Sequence, residues 1–499
     1  MLEKLAKQTA IYGISTIVVR FLSYLLTPFY TRVFGTETYG IVTDVYALIP
    51  FALVLLSMGM ESSYFRFAAR AEAEGEQEGL AKNSTEVLAR KRTLFASCWG
   101  ASFYAASLFA GVVILFRETI ARWMGEAYVA HPEYILCVGL IILFDVWGMM
   151  PFSRLREQGR SGTFVLLKAL NVVINVALAF LFGAVGLYAT EFGVGWVFVA
   201  NLVASVLTFL AILRTVDRTL PRIHWALMGG VLAYSLPLLV SGVAGTAGEF
   251  LDRQMIKYLV PEGAMAQLGI YGAITKIAVV MMLFTQMYRL AAEPFFLANY
   301  KKSDFVQMNA ATMKYYLMAS MLIFLGIALY KEAFALIVGR SFREGIFILP
   351  VVLGANVLSG VWLNLSFWYK REERTSLAMW ITFSGLAAAV VANCLLVPRW
   401  GYYGAAWSRL LSEAVMVGVS YALMRRYYPV PYDLKRMAEF VGVALLLFYL
   451  GEQAARYLPH LALRYAFNTL LLVGYVVYLV RREGIDWRGL LRSVGRRKK

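Results

Sequence analysis

The chain has 499 residues, 60% of them hydrophobic and only 16% charged, with a formal net charge of +17. A water-soluble protein of this length needs more charge on its surface, so the composition excludes a soluble globular fold and points to lipid. The Lys and Arg residues gather between apolar runs, which reads as membrane topology and argues against nucleic acid as a partner.

Apolar runs recur along the whole chain and predict about fourteen membrane-crossing helices. In order they are 9–30, 40–60, 93–116, 134–152, 163–182, 186–213, 226–259, 268–295, 313–336, 346–368, 376–397, 403–424, 438–451 and 461–480. The runs are continuous and too long for the alternating pattern of a membrane β-barrel, so the predicted class is all-α and polytopic. Lys4 and Lys7 precede the first run and Arg20 interrupts it. No small-residue cleavage site follows, so this segment is expected to stay as the first membrane helix. The seventh run is overlong and is expected to begin or end as an interfacial turn.

Loop charge sets the expected orientation. With the N-terminus cytoplasmic, the inner segments carry roughly 32 Lys and Arg against roughly 8 outside. An even number of crossings then puts the basic tail 481–499 inside too, where its Arg residues and Trp487 suit the inner leaflet. The longest connection, 61–92, is expected to be a solvated cytoplasmic hairpin or short helix.

The two halves echo each other. Arg20 precedes Tyr39-Gly40 by nineteen residues, and Asp252 precedes Tyr271-Gly272 by the same interval. Spans four to six and ten to twelve also share a layout. The expected organisation is a six-helix lobe over 1–224, a second over 225–437, two additional helices over 438–480 and the tail. Six is even, so the lobes are parallel repeats, a transporter plan with its site between them.

Catalytic signatures are missing. There is no Gly-x-x-x-x-Gly-Lys-Ser/Thr, no Gly-x-Ser-x-Gly and no His-Glu-x-x-His, and the largest outer loop, 117–133, is small. Cys98, Cys137 and Cys394 form no CxxC pair, and the three histidines are scattered, so no metal or other cofactor is expected.

The informative residues are ionisable or polar groups within apolar spans, which are costly in lipid unless they meet water or a partner. Arg20 and Lys168 have no carboxylate at helical spacing, and with Lys276 they suggest a cationic cavity suited to an anionic substrate. Pairing of Arg20 with Asp145 or Asp44 is the alternative. Asp44, Asp145, Glu191 and Glu413 are candidate carriers for a coupling proton or sodium ion. Asn171 and Asn175 share a helix face, and with Asp252, Arg253 and Arg409 they are candidate cavity lining. Equally, Arg409 and Glu413 can pair along one helix, and Asp252, Arg253 and Lys257 can neutralise one another. Pro28, Pro50, Pro237, Pro294 and Pro350 are expected to bend or interrupt helices.

The opening resembles the polysaccharide transporter branch of the multidrug/oligosaccharidyl-lipid/polysaccharide (MOP) flippase superfamily. The likeness lies in Arg20-Phe21-Leu22, Pro28-Phe29-Tyr30-Thr31-Arg32, Gly35 and Tyr39-Gly40. Leu251-Asp252-Arg253, Leu268-Gly269-Ile270-Tyr271-Gly272, Pro294 and the stretch 401–406 echo it later. The resemblance implies two six-helix lobes in a V shape, as in multidrug exporters of the superfamily, with a cavity that opens alternately to each side. It implies flipping of an undecaprenyl-pyrophosphate-linked oligosaccharide to the outer leaflet of a bacterial inner membrane, for surface polysaccharide assembly with its partner machinery. Arg20 matches an intramembrane basic position of this family; Lys168 and Lys276 rest on their depth alone. A lipid II flippase is the nearest alternative, followed by a multidrug or cation antiporter and a membrane glycosyltransferase. No enzymatic activity is expected.

Overall fold

A computed structural model describes residues 24–484 apart from 82–83, 217–218, 300–303, 373, 375 and 459. Every regular element in it is a helix. In chain order these are α1 (Leu26–Val33), α2 (Thr36–Ser57), α3 (Met60–Gln77), α4 (Thr85–Met124), α5 (Glu126–Val129), α6 (Glu133–Glu157), α7 (Ser161–Ala184), α8 (Gly195–Leu213) and α9 (Trp225–Leu259). There follow α10 (Ala264–Ile277), α11 (Val279–Asn299), α12 (Phe305–Ala328), α13 (Lys331–Ala335), α14 (Leu349–Arg371), α15 (Ser376–Trp400), α16 (Tyr402–Tyr427), α17 (Leu434–Tyr457) and α18 (Leu461–Glu483). Short 3₁₀ turns occupy Leu187–Ala189 and Arg340–Ile348.

Among the described residues, ten helical stretches are long and apolar enough to cross a membrane, or eleven if the bent pair α10–α11 counts as one span. The expected fourteen are not reached, for three reasons. The first run lies mostly outside the described residues. The helix α16 carries Arg409, Glu413, Arg425 and Arg426, and α17 carries Lys435, Arg436, Glu439, Glu452 and Arg456. Both are of spanning length, but their charges dilute the apolar signal.

The overlong seventh run is one continuous helix, α9, of 35 residues, about 52 Å at 1.5 Å per residue. Its Trp225–Gly248 portion is long and apolar enough to span. The expected single helix over 268–295 is instead broken at Ala278 and bent by 49°. No proline sits at that break, whereas Pro50 and Pro237 lie inside the unbroken α2 and α9. Asn356 of α14 donates from Nδ2 to the Ala278 carbonyl at 3.5 Å, supplying a partner for backbone at the break.

Connection 61–92 is a helical hairpin of α3 and the start of α4. Ser84 caps α4 by accepting from the Val87 amide at 3.3 Å. Ion pairs Lys91–Glu72 (2.7 Å) and Arg90–Glu78 (2.7 Å) close the hairpin. Arg90 holds the exposed Glu78 carboxyl below its ordinary range.

The chain forms two compact units. One runs through Gly272 and takes in Ala389–Ala405; the other is Ala273–Ala388 with the chain from Ala406 onward. Within the first, α6 packs against α2, α4 and α8. Its core is aromatic, and two of its indoles find backbone acceptors: Trp99 Nε1 donates to the Trp147 carbonyl at 2.9 Å and Trp147 Nε1 to the Phe103 carbonyl at 3.3 Å. In the second unit, α17 and α18 dock on α12. Asn468 donates to the Leu329 carbonyl at 2.7 Å and Lys331 pairs with Glu452 at 2.6 Å.

Candidate functional site

Helix periodicity builds a cavity inside the first unit. Asp145, Gly148, Met149, Phe152 and Arg156 recur at three- to four-residue spacing and share one face of α6. Phe164, Lys168 and Asn171 do the same on α7, and Ser205, Thr208 and Phe209 on α8. Leu53 of α2 and Glu61 of α3 complete a cavity of about 390 Å³, within the range of small-ligand pockets. Gly148 leaves room on one wall: the nearest atom to an added Cβ is Phe209 Cδ2 at 4.0 Å.

The charges in this cavity are balanced. Arg156 pairs with Glu61, and its guanidinium also lies over Phe65. Lys168 Nζ sits 4.2 Å from the centroid of the Phe152 ring. Lys168 and Asp145 attract each other electrostatically, yet among the described residues neither is in ion-pair contact with a partner. Asn171 Nδ2 donates to Thr208 Oγ1 at 3.1 Å, which donates in turn to the Ala204 carbonyl at 2.7 Å. Asn175 lies one turn further along α7, its buried Oδ1 without a partner among the described residues. A charge on a spanning helix is costly in lipid. Lys168 and Asp145 meet that cost by facing a polar cavity.

A second cluster holds Asp44. Its fully buried carboxylate accepts from Tyr128 Oη at 2.6 Å, Gln254 Nε2 at 2.7 Å and Lys257 Nζ at 2.5 Å. The Lys257 ammonium also lies 4.8 Å from the Tyr128 ring centroid. Asp44 thus ties α2 to α5 and α9, and it is the carboxylate that pairs with Lys257. Asp252 accepts from Asn393 Nδ2 at 3.1 Å and Tyr271 Oη at 3.4 Å. Arg253 beside it is half-buried.

The structure therefore brings Asp145, Lys168 and Asn171 together and keeps Asp44 and Asp252 in separate clusters. Glu191 lies exposed in the turn before α8. Lys276, Arg409 and Glu413 belong to the second unit and are half-buried there. Arg20 lies outside the described residues. Sequence reasoning missed Glu61 and Arg156 as lining, because both read as part of cytoplasmic turns. The signal available was the continuation of the three-to-four spacing from Asp145 to Arg156.

A family model described as "Polysaccharide biosynthesis protein" matches residues 5–299. A curated relative, the probable low-salt glycan biosynthesis flippase Agl15 of Haloferax volcanii, is 20% identical over 400 residues, covering 79% of this chain and 78% of its own. The solved lipid II flippase MurJ, in an inward closed conformation, superposes with a TM-score of 0.75 at 11% identity, covering 95% of this chain and 100% of that one. An inward-facing MATE family transporter of the MOP superfamily gives 0.66 at 15% identity, covering 83% and 94%. At these identities the two structures speak to the fold.

Proposed function

The chain belongs to the polysaccharide biosynthesis protein family and has the fold of MOP superfamily transporters, and from that premise we propose that it flips a lipid-linked glycan across the membrane. The substrate in this reading is an undecaprenyl-pyrophosphate-linked oligosaccharide, carried from the cytoplasmic to the outer leaflet for surface polysaccharide assembly. The relative named as a glycan biosynthesis flippase supports the substrate class. The observation that carries the reading is the cavity of α6–α8, where Lys168 and Asp145, neither in ion-pair contact among the described residues, offer charge to a solute.

In this reading access alternates between lobes 1–224 and 225–437, with the helices of 438–480 appended. The inside excess of Lys and Arg supports a bacterial inner-membrane protein with both termini cytoplasmic. Only the head group needs the polar route; the polyprenyl chain stays in lipid.

Lys168→Ala tests the reading in cells. Loss of one charge-assisted contact, about 1.5–3 kcal/mol, lowers surface glycan display by about tenfold or more. Protein abundance in the membrane stays unchanged. Normal display at normal abundance would remove Lys168 from the transport path. Arg20→Ala is expected to reduce display in the same assay.

A further inference from the structure

We infer that the α6–α8 cavity seats uncharged or zwitterionic sugar units of the cargo and not its pyrophosphate linker, an inference that rests on the flippase reading above. The cavity presents Arg156 and Lys168 against Glu61 and Asp145. Arg156 is already held by Glu61, so a pyrophosphate would meet one available ammonium and the carboxylate facing it. An anion seat in a low-dielectric interior needs an excess of cations, since like charge there is strongly repulsive.

The chemistry of the wall suits sugar. Sugars present hydroxyls that both donate and accept. Asp145 accepts, the Lys168 ammonium donates, Asn171 and Ser205 can do both, and Thr208, whose proton goes to the Ala204 carbonyl, accepts. Phe144, Phe152, Phe164 and Phe209 supply apolar surface for the C–H faces of a pyranose ring. A few convergent polar groups among aromatic walls is how small-molecule sites fix orientation. The volume, about 390 Å³, suits a short saccharide. The missing side chain at Gly148 keeps that space open. The seat therefore selects among glycans by the shape and hydroxyl pattern of the units that enter it.

The test uses the full-length protein with Cys98, Cys137 and Cys394 replaced by Ser and a reporter thiol placed on the wall by Met149→Cys. Labelling by a small methanethiosulfonate is timed with two probes. One is the water-soluble oligosaccharide released by mild acid from the host's own lipid-linked pool; the other is inorganic pyrophosphate. At twice its half-saturating concentration the oligosaccharide slows labelling by about threefold, and pyrophosphate leaves the rate unchanged. Asp145→Asn and Gly148→Val each abolish the protection, in protein that remains monodisperse. Protection by pyrophosphate and not by oligosaccharide overturns the inference, as does protection by neither. Translocation of the intact lipid-linked oligosaccharide is measured on the same preparation. If it persists without protection, the sugar seat alone fails; if the protein translocates nothing, the flippase reading itself fails.

Discussion

Asp44→Ala is expected to destabilise the protein by about 3–5 kcal/mol, the cost of leaving a buried partner charge unpaired. The Lys257 side chain is 6% exposed and Asp44 is 0% exposed, so water does not replace the lost carboxylate. Tyr128 and Gln254 lose their acceptor in the same step. Removing the whole pair is a different experiment. In Asp44→Ala/Lys257→Met no orphan charge remains, and exchange of a buried ion pair for apolar side chains is often near neutral. The double variant is therefore expected to recover the share of the loss due to the orphan ammonium, while Tyr128 and Gln254 stay without their acceptor. Unfolding in detergent, followed by size-exclusion fluorescence on both single variants and the double, measures the coupling. Simple additivity would contradict the role of Asp44 as a cross-tie.

The second large effect is at the crossing of α2 and α10. A Cβ added at Gly40 would lie 2.0 Å from the Met265 carbonyl oxygen, and one at Gly269 would lie 2.0 Å from the Thr36 carbonyl oxygen. Both obstacles are backbone, so no side-chain rotation relieves them. The helices would have to separate along a contact that small residues make close. Gly40→Ala and Gly269→Ala are each expected to cost at least the about 1–3 kcal/mol typical of overpacking. They should sharply lower the yield of folded protein. Gly111→Ala and Gly245→Ala are the controls, because nothing lies within 4 Å of an added Cβ at either position. They should be neutral or stabilise by about 0.5–1 kcal/mol through reduced helix entropy cost. Equal losses at all four sites would contradict the close crossing.

These glycines also show what the sequence made legible. Tyr39-Gly40 and Tyr271-Gly272 stand out as an echo between halves. The structure supplies a physical reason for the glycines: Gly40, Gly269 and Gly272 meet at one crossing, where a Cβ at Gly272 would strike Thr43. Hydropathy likewise placed a helix, or the bent pair, at each expected run from the second onward. Other features were out of its reach. The break at Ala278 carries no glycine or proline, and a partner from α14 stands at it. The pairing of Asp44 with Lys257 spans 213 residues, far beyond what helical spacing can report. Arg156 and Glu61 looked cytoplasmic because hydropathy treats a wet cavity and the cell interior alike. Lys168, Asp145 and Asn171 were legible as costly polar groups in apolar spans, but their convergence on one cavity depends on how α6 and α7 face each other.

The central claim is translocation, and reconstitution measures it directly. The purified protein is placed in liposomes with an undecaprenyl-pyrophosphate-linked oligosaccharide in both leaflets, and the glycan reachable by an externally added glycosidase is followed over time. The accessible fraction is expected to grow beyond the outer-leaflet share, about tenfold more slowly with Lys168→Ala. No sugar should be transferred or released by the protein itself. An accessible fraction that stays at the protein-free level, or a glycan chemically altered by the protein, would contradict the account.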